Sequence, residues 1–183
     1  VMAAVAVRFV FPAVSIEGPA FWVVRTAPVS MRRFLWSKFW LGLVPVLTLA
    51  LGITVISNHF LHARSFLQAV GAVTIICMSF ALVGLAAGLG ACYPRFQAEN
   101  VTQVAGSFGG VAFMVLAVLL TVIVVGLVAW PASTYIWYDA RGLPLPAGRT
   151  LVMGVSFGLA AALCLATCLL AMRKGVRALE EMG

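Results

Sequence analysis

The chain has 183 residues, of which 63% are hydrophobic and only 9% charged, with a formal net charge of +7 and a mean hydropathy of +1.11. A water-soluble domain carries about 25% charged residues, so this composition excludes an ordinary soluble enzyme and points to a chain that spends most of its length in lipid. The positive charge is a weak nucleic-acid signal, because the basic residues fall between long uncharged stretches.

The start, 1–7, is a short apolar run ahead of Arg8. It lacks the basic n-region and small-residue cleavage site of a secretory signal, and it reads as the tail of an upstream span. Residues 8–38 form the most polar part of the chain, punctuated by Pro12, Pro19 and Pro28. Glu17, Gly18 and Pro19 read as the entry to a short helix, with proline in its first turn. Phe21, Trp22 and Val24 give that helix an apolar face beside Arg25. It is too short to span and suits the membrane surface or a partner protein. Beyond Pro28, Ser30 is placed to cap a new helix. This helix carries Arg32, Arg33 and Lys38 into the first full span, with Trp36 and Trp40 at headgroup depth.

Four stretches without any Asp, Glu, Lys or Arg follow, at 39–57, 65–93, 101–130 and 150–172. A helix rising 1.5 Å per residue needs about 20 apolar residues to cross a bilayer core of about 30 Å, and each stretch reaches that length, the first narrowly. The expected fold is therefore an all-α integral membrane protein. Its spans lie near 39–57, 65–92, 104–130 and 150–172, in one transmembrane domain that ends in a tail at 173–183. Gly42 and Pro45 predict a kink in the first span. Small residues recur at Gly84, Gly88 and Gly90, at Gly106 and Gly110, and at Gly154 and Gly158, a pattern whose physical use is close helix approach. Asn100 with Gln103 reads as a capping box for the third span. Trp130, Tyr135, Trp137 and Tyr138 place the segment 131–149 in the opposite headgroup region.

Basic residues fix the expected orientation. Arg8, Arg25, Arg32, Arg33, Lys38, Arg95, Arg173, Lys174 and Arg177 share one side, against Arg64, Arg141 and Arg149 on the other. The more basic side faces the cytoplasm. Both ends of the chain are then expected there, in a multi-pass protein of the cell membrane.

Catalytic patterns are weak. Gly154-Val155-Ser156-Phe157-Gly158 matches the GxSxG of serine hydrolases, which place the serine on a strand-to-helix turn; here it lies inside an apolar helical stretch. His59 and His62 have no acidic neighbour to complete a metal site. Cys77, Cys92, Cys164 and Cys168 all sit in or at the edge of spans and read as small packing residues. No GxxxxGK[ST] phosphate loop is present, and no charge lies within a span to bind a coupling ion. Energy for any transport has to come from outside this chain. An intramembrane hydrolase and a non-transporting scaffold are the alternatives; the first would need a base at membrane depth, and no His or carboxylate is found there.

Two cytoplasmic segments resemble those of a known family. Phe11-Pro12-Ala13-Val14-Ser15-Ile16-Glu17-Gly18, then Ala20-Phe21-Trp22 through Arg25-Thr26-Ala27-Pro28-Val29-Ser30, then Lys38-Phe39, is similar to the signature of ABC exporter permeases, the membrane subunits of type-2 ABC transport systems. Tyr93-Pro94-Arg95-Phe96 with Ala98-Glu99-Asn100 resembles the same family's second loop, with Gln97 where an acidic residue is usual. The resemblance implies a C-terminal portion of a six-helix half-transporter that pairs with a second half or a second copy. It further implies that Glu17, Gly18, Phe21, Trp22, Arg25 and Pro28, with Tyr93, Pro94, Arg95, Phe96, Glu99 and Asn100, contact a separate ATP-binding subunit. ATP and magnesium would belong to that subunit, leaving no cofactor, metal or catalytic residue in this chain. Segment 131–149 would correspond to short re-entrant helices.

Overall fold

A computed structural model describes residues 2–16, 30–61, 64–94, 101–142 and 146–181. It is all-helical among those residues, with six α-helices: α1 (Met2–Phe9), α2 (Met31–Leu61), α3 (Ser65–Cys92), α4 (Val101–Ala105), α5 (Phe108–Ala140) and α6 (Ala147–Glu181); one 3-10 turn, Phe11–Ala13, follows α1. The helices α2, α3, α5 and α6 are each long and apolar enough to cross a membrane. The protein is an all-α membrane protein with four such helices. Contiguous helices α2–α3 and α5–α6 run antiparallel, so the starts of α2 and α5 lie at the same end of the bundle as the finishes of α3 and α6.

Helix α3 is central. It packs against α6 most extensively, then against α2 and α5, and α1 also packs on it. From Ala81 to Gly88 every residue of α3 is buried, which is the mark of a helix enclosed on all sides. Small side chains make this possible. A methyl group on Gly84 would lie 2.9 Å from the Cα of Cys168, and one on Gly88 would run into the carbonyl of Ala171. A methyl on Gly175 would in turn sit 3.0 Å from the Cα of Gly88. The α3 and α6 backbones are therefore in near contact, the geometry that drives helix association in lipid, where van der Waals packing replaces the hydrophobic effect. Cys164 and Cys168 face this seam, buried and free, with the Cys164 Sγ 3.9 Å from the Met78 Sδ. They are packing residues, as their place within the spans suggested.

Polar groups inside the spans are satisfied locally. The hydroxyls of Thr54, Thr74, Ser79, Thr121 and Thr167 each donate to the carbonyl four residues earlier, at 2.7–2.9 Å. Among the described residues no buried side-chain nitrogen or oxygen is without a partner. Ser156 does the same, donating to the carbonyl of Val152 at 3.0 Å. Its GxSxG surroundings are continuous α-helix, not a nucleophile-bearing turn.

Several expectations need correction. The glycines Gly154 and Gly158 were expected to pack, yet a side chain on either would meet nothing within 4 Å. The N-cap of the third span is Ser107, whose Oγ accepts from the Gly110 N–H at 3.4 Å; Asn100, expected in that role, lies outside the described residues. Residues 131–140 extend α5 rather than leaving it. Pro131 removes one N–H from the ladder, but the helix continues through it, with Ser133 and Thr134 both donating to the Trp130 carbonyl at 2.8 and 2.9 Å. No re-entrant helix is seen among the described residues of that segment. His59 belongs to α2, edge-on to Phe60, whereas His62 lies outside the described residues. Helix α2 includes Pro45 within its range, which is compatible with the kink expected there.

Candidate partner-docking end

One end of the bundle gathers most of the charge. Arg8, Arg32, Arg33, Arg173, Lys174 and Arg177 are all exposed there, and Lys38 lies 5.5 Å from the ring centre of Phe34. Leu35, near the start of α2, touches the position of Gly175 near the finish of α6, which places these two basic clusters side by side. Aromatic rings sit just inside them. Phe39, fully buried, meets Trp36, Trp40 and Phe80 with centroid separations of 5.2, 5.7 and 6.0 Å. Tryptophans at this depth, with cations beyond them, match a headgroup boundary.

The segment after Arg8 is built into this end. Val10, Phe11 and Val14 are fully buried. Pro12 is the second residue of the 3-10 turn, where its missing N–H costs no hydrogen bond. The turn is pinned by the Val10 N–H donating to the Ala6 carbonyl at 2.9 Å and the Ala13 N–H to Val10 at 3.1 Å. Val10 fills the space beside Gly42 of α2, and the Phe11 carbonyl abuts Gly90 of α3 so closely that no side chain fits there. The Phe11 ring lies 6.2 Å from that of Phe113 on α5. The stretch expected to be cytoplasmic from Arg8 onward thus begins as a wedge between three spans.

The second motif segment starts at the same place. Tyr93 ends α3, its N–H donating to the Leu89 carbonyl at 3.0 Å, and its half-exposed ring stands edge-on to Phe108 at 5.8 Å. A methyl on Gly109 would lie 2.7 Å from the Tyr93 Cβ and 3.1 Å from the tip of the Phe11 ring. Phe11 and Tyr93, 82 positions apart in the chain, therefore flank one glycine. The helix break at Gly106–Ser107 brings it there, with Gly110 pressed on the Ala105 carbonyl.

Of the residues expected to touch a partner, Tyr93 and Pro94 are placed at this end, Tyr93 exposed and Pro94 half-buried. Glu17, Gly18, Phe21, Trp22, Arg25, Pro28, Arg95, Phe96, Glu99 and Asn100 lie outside the described residues. The residues that position both segments, Phe11, Gly90 and Gly109, were not on that list. Phe11 opens the first motif and was visible; Gly109 carries no local signal, because its neighbours come from distant parts of the chain.

The described residues hold no group of three or more His, Cys, Asp or Glu able to bind a metal. Taken together, four membrane-length helices closed at a basic end define a helical membrane protein. The chain belongs to the family described as "Putative ATP-binding cassette", whose family model matches residues 1–183. No curated protein and no solved structure matches it.

Proposed function

We propose that this chain is the membrane-spanning permease subunit of an ABC exporter, driven by ATP hydrolysed on a separate subunit. The family match supplies the ABC context. The sequence adds four spans and no phosphate-binding loop, which favours the membrane partner over the nucleotide-binding one. The observation that carries the reading is the convergence of Phe11 and Tyr93 on Gly109. Both motif segments are rooted in one joint at the basic end, so a push on either is transmitted to α2, α3 and α5 together.

In this mechanism the ATPase docks on 17–30 and 93–103 from the cytoplasm. Closure of the ATPase pair tilts the joint, and the spans rock to open a path on the far side. A second copy or a second half completes the transporter. The basic end is cytoplasmic, as the distribution of arginines and lysines favours.

The test is an affinity capture of the full-length parent from detergent-solubilised membranes, scored for an ATP-binding-cassette protein and for its ATPase activity. Recovery of that protein, lost on changing Glu17→Ala with Arg25→Ala, is the expected result. Preparations that never contain an ATPase would overturn the reading. Orientation is checked separately: Ala140→Cys should label from outside intact cells with an impermeant maleimide, and Arg177→Cys only after permeabilisation.

A further inference from the structure

The half of the bundle away from the basic end holds two features that the transport reading leaves unused. A groove of about 240 Å³ runs between α3, α5 and α6, lined by Phe66, Val70, Val124, Val128, Phe157 and Ala161 among others. Its one hydroxyl, on Thr74, already donates to the Val70 carbonyl at 2.7 Å, so it offers nothing to a polar solute. Nearer the membrane surface is a cleft of about 420 Å³, lined by Ser133, Thr134, Trp137, Tyr138 and Arg149.

Three arginines surround this end, and only one is neutralised among the described residues. Arg64 pairs with Asp139. The Arg141 guanidinium instead stacks 3.8 Å over Trp137, and that of Arg149 lies 5.1 Å over Tyr138. An aromatic face holds a cation in place without cancelling its charge. Arg149 also heads the α6 face that continues through Met153 and Phe157 to Ala160 and Cys164, at helical spacing. Phe157 is about 12 Å further along at 1.5 Å per residue, and it lines the groove.

We propose that this half binds an anionic lipid, its phosphate held by Arg149 in the cleft and one acyl chain lying in the groove. The guanidinium fork matches phosphate oxygens, and Trp137 and Tyr138 are the residue types that settle at headgroup depth. A zwitterionic lipid brings a cation of its own to an end where, among the described residues, neither Arg149 nor the neighbouring Arg141 pairs with a carboxylate. Free phosphate would leave the groove without purpose. Binding here is independent of the ATPase partner, so its failure leaves the permease reading standing.

The experiment is native mass spectrometry of the full chain in neutral detergent with equal amounts of phosphatidylglycerol and phosphatidylcholine. The expected result is retention of one phosphatidylglycerol with a preference of about tenfold, the scale of one charge-assisted contact. Arg149→Gln should abolish the preference and Arg149→Lys keep only part of it, since the charge remains and the fork is lost. Ala161→Phe, which fills the groove, should lower retention of both lipids, with thermal melting of each variant as the folding control. Equal retention of the two lipids by the unaltered chain, an unchanged preference in Arg149→Gln, or displacement by millimolar inorganic phosphate alone would each overturn the proposal. Should Arg149→Gln fail to fold, the lysine and phenylalanine variants decide.

Discussion

The two halves of the bundle use the same residue in opposite ways. At the basic end a side chain on Gly42, Gly84, Gly88, Gly90, Gly109, Gly110 or Gly175 would collide with a neighbour, whereas at the other end Gly52, Gly71, Gly126, Gly154 and Gly158 face open space. Helix α3 shows the change along its own length, exposed or half-buried from Ser65 to Cys77 and almost wholly buried from Met78 to Ala91. Lipid tails are as apolar as the helices, so no hydrophobic force gathers the spans. They close only where small residues on both partners let backbones touch and where the Val10–Val14 wedge ties them. A glycine spacing permits close approach and does not cause it.

That contrast breaks most readily at Gly88. Gly88→Leu should destabilise the protein by about 3 kcal/mol, the upper end for overpacking, because the obstructing atom is a backbone carbonyl that cannot rotate aside. The shift of the SDS-titrated unfolding midpoint measures it, and a change near zero would mean that α3 and α6 are not in backbone contact. Phe11→Ala should cost about 2 kcal/mol. In lipid the transfer term largely vanishes and the cavity left against Phe113 and Gly109 remains. The same variant should reduce ATPase capture if the wedge positions the coupling segment.

The spans themselves were legible, since four uncharged stretches of this length have no other use. The ends of the helices were legible only in part. Charge marks where the membrane stops, and a helix continues past that point: α2 begins at Met31, directly after the Ser30 expected to cap it, whereas the run of α6 through Arg173, Lys174 and Arg177 to Glu181 was expected as a tail. Lysine and arginine stems reach the headgroups without unwinding the helix. Pro131 looked like a terminus because proline usually is one, yet the helix tolerates a single lost N–H there. The joint at Gly109 was illegible for a different reason. Val10–Val14 is too short and too interrupted by Pro12 to show a period, so nothing local says that it is buried. The motif resemblance located the segments, but only the fold brings Phe11 to Tyr93.

Among the described residues the open half has one ion pair, Arg64 at the start of α3 with Asp139 near the finish of α5, beside the Phe66–Tyr135 ring contact at 4.2 Å. Arg64 is 62% exposed and Asp139 28%, so water and ions screen the attraction. A double-mutant cycle with Arg64→Ala and Asp139→Ala should return a coupling of about 0.5 kcal/mol, falling with added salt. A coupling several times larger would mean that this end is shielded and more tightly closed than its glycines indicate.

The smallest expected effect is the sharpest test of the comparison. Gly158→Leu adds four carbons at a position where nothing lies within 4 Å, one helical turn from Gly154 and equally free. A methylene row on an open helix face exchanges lipid contacts for lipid contacts, and leucine favours the helix over glycine by most of the roughly 1 kcal/mol that separates glycine from alanine. The unfolding midpoint should therefore stay unchanged or rise slightly, where Gly88→Leu lowers it steeply. The two substitutions are chemically identical and lie on the two helices that form the central seam, so propensity cancels and only their neighbours differ. A fall at Gly158 comparable to that at Gly88 would show that the far half also closes, with α6 seated against a surface that this chain does not itself provide.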